Sequence, residues 1–357
     1  MTLPSFQMPQ LSLLALTVAG AGLSPALASA QDISPERCAL NKAPGEVIFL
    51  TSFAYAASTG ILDIVAAKEL GLYDALCIDL TIQPGGTNIQ LVSANTAQLA
   101  GIGGPSDTMV GIDNGAEIVG IATYGNVGAI EVITMAGSGI ETLADFVGKT
   151  VGYKGAVAPQ FSAMFLDNGI DPETINWVSV GFDPSILSNG QVQGLGAYKS
   201  NEPRALEAQG FEVTEWDPNA FGIQSNFNTQ IANIAFAEAN PTVIEDFLRA
   251  TFKAYAWMNE SPDNLDQALQ WAAELSTAGY DIDTSRVRYN TEVALVADSL
   301  PAGMALGQQS VAQWQPEADM LERFGLVQNK PDVATAMSTV YVDAIYDDAG
   351  ALIWPAP

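Results

Sequence analysis

Histidine is absent from all 357 residues of the chain. Its absence removes every Ser-His-Asp or Cys-His nucleophilic arrangement and every His-based zinc site, since each needs an imidazole as base or ligand. Other chemical signatures are missing too: there is no G-x-S-x-G elbow, no G-x-x-x-x-G-K-[ST] phosphate loop and no D-x-D-x-D-G calcium loop. Carboxylate and lysine chemistry stay open in principle, but neither an enzyme nor a cofactor is expected. Positive charge is scarce. Thirteen Lys and Arg stand against 40 Asp and Glu, a net charge of −27, which repels nucleic-acid phosphates and anionic membranes. At 48% hydrophobic residues the chain is too apolar for a disordered acidic segment, so the charge reads as a solubilising surface.

Apolar runs of membrane-spanning length are lacking as well. Residues 11–23 (LSLLALTVAGAGL) form a run of signal-peptide length, and Ala28, Ser29 and Ala30 fit an A-x-A cleavage site before Gln31. The usual basic start is missing, since no Lys or Arg precedes Arg37. A misassigned start codon would account for that; an N-terminal core helix is the alternative. Residues 1–30 are expected to be a signal peptide and the mature chain to be periplasmic. Removing them from 357 leaves 327 residues, too many for one ordinary core and suited to two lobes. The two cysteines, Cys38 and Cys77, are a disulfide candidate in an oxidising compartment; two separate buried thiols are the alternative.

What is present is an alternation of short apolar strands with longer helical stretches. Strands are expected at 47–51, 78–82, 100–103 and 118–123, with helices at 59–70 (capped by Thr59), 88–95 and 105–114 between them. A second unit begins near Glu131, with strands at 131–135, 150–153, 176–180 and 194–198 and helices at 142–146, 159–168 and 202–209. This rhythm predicts α/β layers with largely parallel strands. The last third reads as helical: a helix from Asn240-Pro241 with an apolar stripe from Ile244 to Tyr255, then 265–275, 311–324 and 331–346. No internal repeat or charge block interrupts it.

Four segments then carry a resemblance: residues 64–73 (IVAAKELGLY), 142–154 (TLADFVGKTVGYK), 197–203 (AYKSNEP) and 237–258 (AEANPTVIEDFLRATFKAYAWM). In order and spacing they resemble the type II periplasmic solute-binding proteins of ABC importers, in the branch that binds thiamine-pyrimidine precursors, with riboflavin, sulfonate, taurine and nitrate binders as relatives. The resemblance implies a two-lobed α/β fold of the type II periplasmic-binding-protein class with two chain crossings: first lobe 31–126, second lobe 127–224, and a return over 225–357. It also implies a ligand cleft between the lobes, a membrane permease as partner, and a monomer. Fungal pyrimidine-synthesising relatives use a histidine and a cysteine-rich motif; this chain has neither, so the resemblance implies binding without synthesis.

Ligands of open α/β sheets sit at the carboxyl ends of strands, which directs attention to the loops there. Phe53 and Tyr55 follow the first strand and suit ring stacking; a core-covering role is the alternative. Gly86, Thr87 and Asn88 offer backbone N–H groups at a helix start, or an ordinary glycine turn. Gly104 and Ser106 permit close backbone approach plus a hydroxyl. Tyr124, Asn126 and Gln224 fall at the expected crossings. Lys154 and Gln160 flank a small-residue loop, where Lys154 is either an anion contact or a solvated cation. Tyr198, Asn201 and Glu202 belong to the NEP segment and suit ring nitrogens or an exocyclic amine, though Glu202 can equally complement a helix dipole. No metal site is expected. The expected ligand is a planar nitrogen heterocycle, pyrimidine-like or flavin-like; an anion such as a sulfonate or nitrate, an exported enzyme, and a sensor-partner protein are the competing readings.

Overall fold

A computed structural model describes residues 33–276 and 280–357; the expected signal peptide lies outside the described residues. The first sheet holds β1 (Glu46–Thr51), β2 (Asp79–Pro84), β3 (Leu99–Ile102), β4 (Ile118–Gly125) and β10 (Phe227–Asn233), in the order β2-β1-β3-β10-β4. The second holds β5 (Ile130–Met135), β6 (Thr150–Tyr153), β7 (Asn176–Ser179), β8 (Gly194–Tyr198) and β9 (Val213–Trp216), in the order β7-β6-β8-β5-β9. Each sheet is parallel except for one antiparallel strand, β10 in the first and β5 in the second. Those two strands are the ones that enter a lobe from the other. The chain crosses first between β4 and β5, at residues 126–129, and back between β9 and β10, at residues 217–226.

The expected strands fall where period and β-branched content put them, but two were not anticipated. β10 (FNTQIAN) is buried along its whole length although it is mostly polar, so it has no apolar signature. β9 is a short edge strand. The helix Ile282–Ser299 was also missing from the sequence expectation, and the expected helix at 331–346 is two single turns, Val333–Ala336 and Val340–Asp343. Between those turns Met337 bridges Gly120, and the Ser338 N–H donates to the Gly120 carbonyl at 2.8 Å; that pairing competes with helix continuation. Thr59 does not cap its helix, which begins at Leu62, because its N–H and hydroxyl donate to Glu292 instead. Asn240 likewise turns its amide back to the Phe236 carbonyl rather than capping the next helix.

The first lobe's core gathers Phe49, Tyr73 and Phe247, whose rings stack at 5.5 and 5.7 Å. The stripe of Pro241–Glu260 supplies it: Ile244, Phe247, Leu248 and Phe252 are all buried. The helix Pro35–Lys42 is fastened to this lobe by a Cys38–Cys77 disulfide, as expected, with Cα atoms 5.3 Å apart. A second cluster joins Phe146, Phe161 and Phe165 of the second lobe to Met109 of the first and to Trp314 and Leu321 of the helix Val311–Arg323. The return segment therefore packs on both lobes rather than finishing on the first alone. Among the described residues no helix is long and apolar enough to cross a membrane.

Candidate ligand cleft

The carboxyl ends of the parallel strands face one another across a cleft of about 1290 Å³. From the first lobe it is lined by Phe53, Gly86, Asn88, Gly104, Ser106 and Asp107; from the second by Lys154, Gln160, Phe182, Tyr198, Asn201 and Glu202. Ten of the fifteen residues expected from the sequence line this cleft. The other five lie outside it. Tyr55 donates its hydroxyl to the Ile82 carbonyl at 3.3 Å beside β2. Thr87 points to solvent, since Asn88 takes over the turn. Tyr124 is fully buried in the first lobe, donating to Asp63. Asn126 accepts from Gln313 at the crossing, and Gln224 is exposed on the return crossing. At the first crossing the return helix Val311–Arg323 engages Asn126 through Gln313, and Tyr124 turns into the first-lobe core against Phe252.

Asn88 shapes the glycine turn. Its Nδ2 donates to the carbonyls of Thr51 and Gly101, both at 2.9 Å, and its Oδ1 accepts from Gly86. A methyl on Gly85 would lie 2.1 Å from the Thr51 carbonyl oxygen, so only glycine fits there. Phe53 meets Phe182 of the second lobe edge-on at 4.7 Å, while the Arg288 guanidinium lies 5.6 Å from the Phe53 ring centre. An aromatic from each lobe thus meets at the cleft.

Lys154 is not a free cation. Its Nζ donates to Glu202 and, at 3.0 Å, to the Gly196 carbonyl; the other Glu202 oxygen accepts the Tyr198 N–H at 2.8 Å. The two charges neutralise each other, so Lys154 is neither the solvated cation nor the unpaired anion contact that the sequence suggested, and its third N–H has no partner among the described residues. Two further charged residues line the cleft, Arg288 and Asp107. Arg288 comes from the unanticipated helix Ile282–Ser299; its Nε is buried without a hydrogen-bond partner among the described residues, with Glu292 at 3.8 Å. Asp107 stands in the first turn of Pro105–Asp113, and burial pushes its carboxyl up to about 6. Sequence reasoning stopped one residue short at Ser106. Phe182 follows β7 and obeys the same strand-end rule that located the others, whereas no local signal announces Arg288.

Two buried carboxylates tie the lobes together. Glu317 accepts from the Ser106 N–H at 3.0 Å and its hydroxyl, and from the Asn226 N–H and side-chain amide, both at 2.8 Å. Burial pushes Glu317 up to about 7 despite these donors. Glu292 accepts from Ser58, Thr59 and Asn228 of the first lobe and from Ser200 of the second, the last at 2.9 Å. Among the described residues no group of three or more His, Cys, Asp and Glu is placed to hold a metal ion.

Residues 58–265 match the family described as NMT1/THI5 like. A formylaminopyrimidine-binding protein from Halalkalibacterium halodurans is 28% identical over 208 residues, 56% of this chain and 63% of that protein, so the matched stretch spans less than two thirds of the relative. A solved structure from Bordetella bronchiseptica superposes with a TM-score of 0.65 at 18% identity, covering 84% of this chain and 96% of that one. The periplasmic aliphatic sulphonate binding protein SsuA from Escherichia coli superposes with a TM-score of 0.59 at 17% identity, over 82% and 96%. These likenesses show the two-lobed periplasmic-binding-protein fold. The matched family covers more than half of the sequence, and the chain belongs to the NMT1/THI5-like family.

Proposed function

We propose that this chain is the extracytoplasmic solute-binding component of an ABC importer, holding a small planar nitrogen heterocycle between its lobes for delivery to a membrane permease. A thiamine-pyrimidine precursor, or a flavin-like ring, is the ligand. The observation that carries the proposal is the composition of the cleft: Phe53, Phe182 and Tyr198 offer aromatic surface from both lobes, while Lys154 is neutralised by Glu202. Flat apolar faces with a few directional polar groups suit a neutral ring better than a compact anion. Similarity to a formylaminopyrimidine-binding protein supports the same class. The Cys38–Cys77 bridge supports an oxidising compartment, and the protein acts as a monomer.

A thermal-shift panel tests it, because a ligand that binds only the folded state stabilises it by about 2.7 kcal/mol at a hundredfold excess over Kd. Formylaminopyrimidine, its amino precursor and riboflavin are set against taurine, an alkylsulfonate and nitrate. A shift with a heterocycle, and its recovery unchanged after incubation, is the expected result. Arg288 favours the second reading, an anion binder, since its buried Nε makes no hydrogen bond among the described residues and Glu292 approaches it only to 3.8 Å. A shift with sulfonate or nitrate alone overturns the heterocycle and selects that reading; turnover of any compound overturns the binding role.

A further inference from the structure

In the sequence, Glu202 looked like the acceptor for an exocyclic amine. In the structure its two oxygens are taken, one by Lys154 and the other by the Tyr198 N–H. A different carboxylate stands ready. Asp107 lines the cleft from the first lobe, and among the described residues no side chain donates to it or pairs with it; only the backbone N–H groups of Gly103 and Gly104 act on it. The Tyr198 hydroxyl lines the cleft from the second lobe and makes no hydrogen bond among the described residues. Both groups converge on Gly103. A methyl built there would lie 2.5 Å from Asp107 Oδ2 and 3.5 Å from the Tyr198 hydroxyl. The missing side chain therefore lets the Asp107 carboxylate lie against the Gly103 backbone, close to the Tyr198 hydroxyl of the other lobe.

We infer that Asp107 is the specificity-determining residue of the cleft, and that the ligand presents to it an N–H donor edge, an exocyclic amino group or an amidinium on a nitrogen heterocycle. The inference rests on the function proposed above and narrows its ligand class. A half-buried carboxylate without a cation costs free energy that a donor returns once the ligand excludes water from the cleft, and a charged acceptor makes roughly twice the hydrogen bond of a neutral one. An amino group adjacent to a ring nitrogen supplies one donor, or two once the ring is protonated, which matches the two oxygens of a carboxylate. An oxo group in the same place sets oxygen against oxygen and covers the carboxylate without giving it a donor. Sites built around such a group reject the analogue lacking it by orders of magnitude. The Tyr198 hydroxyl can donate or accept as that edge requires, and it reaches the ligand only when the lobes are together. Arg288, across the cleft on Phe53, is left for an acceptor elsewhere on the ligand.

Asp107 also sits in the first helical turn, where a carboxylate merely helps the helix start. Asparagine keeps an acceptor there and removes the charge, so Asp107→Asn separates the two roles. The affinities of a 4-aminopyrimidine and its 4-oxo counterpart are measured by titration calorimetry on the disulfide-intact protein and on this variant. The wild type should prefer the amino compound by on the order of 100-fold or more, and Asp107→Asn should bring the ratio to within about tenfold. Gly103→Ala, whose methyl displaces the Asp107 carboxylate and leaves its charge in place, should weaken the amino compound at least roughly tenfold. An unchanged amino-to-oxo ratio in Asp107→Asn, or equal binding of the two compounds by the wild type, overturns the assignment while leaving heterocycle capture intact. If no heterocycle binds at all, the proposed function is overturned and this assignment falls with it.

Discussion

Gln160, at the start of a second-lobe helix, donates its side-chain amide to the Ser106 hydroxyl of the first lobe at 3.1 Å, and Ser106 donates in turn to Glu317. Glu317 also receives the Asn226 N–H at the return crossing. One carboxylate on the C-terminal segment thus holds both lobes and the hinge between them. Glu317→Ala strands these donors in a buried place, and should lower unfolding free energy by about 2–4 kcal/mol in urea titrations. Gln160→Ala removes only the interlobe donor. Its stability should stay within about 1 kcal/mol of wild type while its radius of gyration in solution scattering rises, because the open arrangement gains population. An unchanged radius would show that Gln160 does not hold the lobes together.

Glu131 on β5 is fully buried, and neither of its oxygens has a hydrogen-bond partner among the described residues. Burial, with Glu215 nearby, pushes its carboxyl up to about 8 from an ordinary 4.5. Between those pH values the folded chain keeps a proton that the unfolded chain has released, so stability falls as pH rises through the window. Glu131→Gln removes that contribution. The variant should match wild type near pH 4.5 and exceed it by on the order of 2 kcal/mol at pH 8. A constant difference at both pH values would refute the assignment.

Lys154 and Glu202 are one unit, with 16% and 3% of their side chains exposed. Lys154→Met leaves Glu202 buried and unpaired and should cost about 3 kcal/mol. The double variant Lys154→Met with Glu202→Gln should recover most of that loss, and the coupling is read from a double-mutant cycle. Neither should convert the preference of the cleft between heterocycles and sulfonates. A switch in that preference would restore Lys154 as a ligand contact.

The Cys38–Cys77 bridge closes a stretch of 39 residues. In the chain-entropy account a loop of that size stabilises by about 3–4 kcal/mol. Reduction, or Cys38→Ser with Cys77→Ser, should lower the denaturant midpoint accordingly with the slope little changed. Unaltered melting under dithiothreitol would mean the helix Pro35–Lys42 is held by the Arg37 contacts to Glu245 and Asp246 instead.

Most of the scaffold was legible in the sequence because its signals are local. Val47–Leu50, Ile118–Ile121 and Val132–Met135 advertise strands by apolar content alone. Gly103-Gly104-Pro105 announces a strand end and a helix start together. Where the signal was not local, it failed. β10 carries Asn228, Thr229, Gln230 and Asn233, all buried; these look like loop residues until the lobes supply their partners. The helix Ile282–Ser299 turns Tyr289, Glu292 and Val296 inward, and a glutamate on the buried face spoils an apolar stripe. Arg288 and Glu292 went unseen with it.

The chemistry of the cleft divides the same way. Strand-end reasoning located Phe53, Asn88, Ser106, Lys154 and Tyr198 at the right rim, since residue position along an α/β chain decides which end of a sheet it reaches. It had no means of knowing that Lys154 is consumed by a glutamate 48 residues away, or that Ser106 meets a carboxylate 211 residues away. Sequence by itself determined the two α/β layers, the acidic balance, the absence of imidazole chemistry and a single pair of cysteines. Tertiary structure alone decided which charges are paired and which stand free, because Coulomb and hydrogen-bond energies depend on separations of a few ångströms that chain distance does not encode.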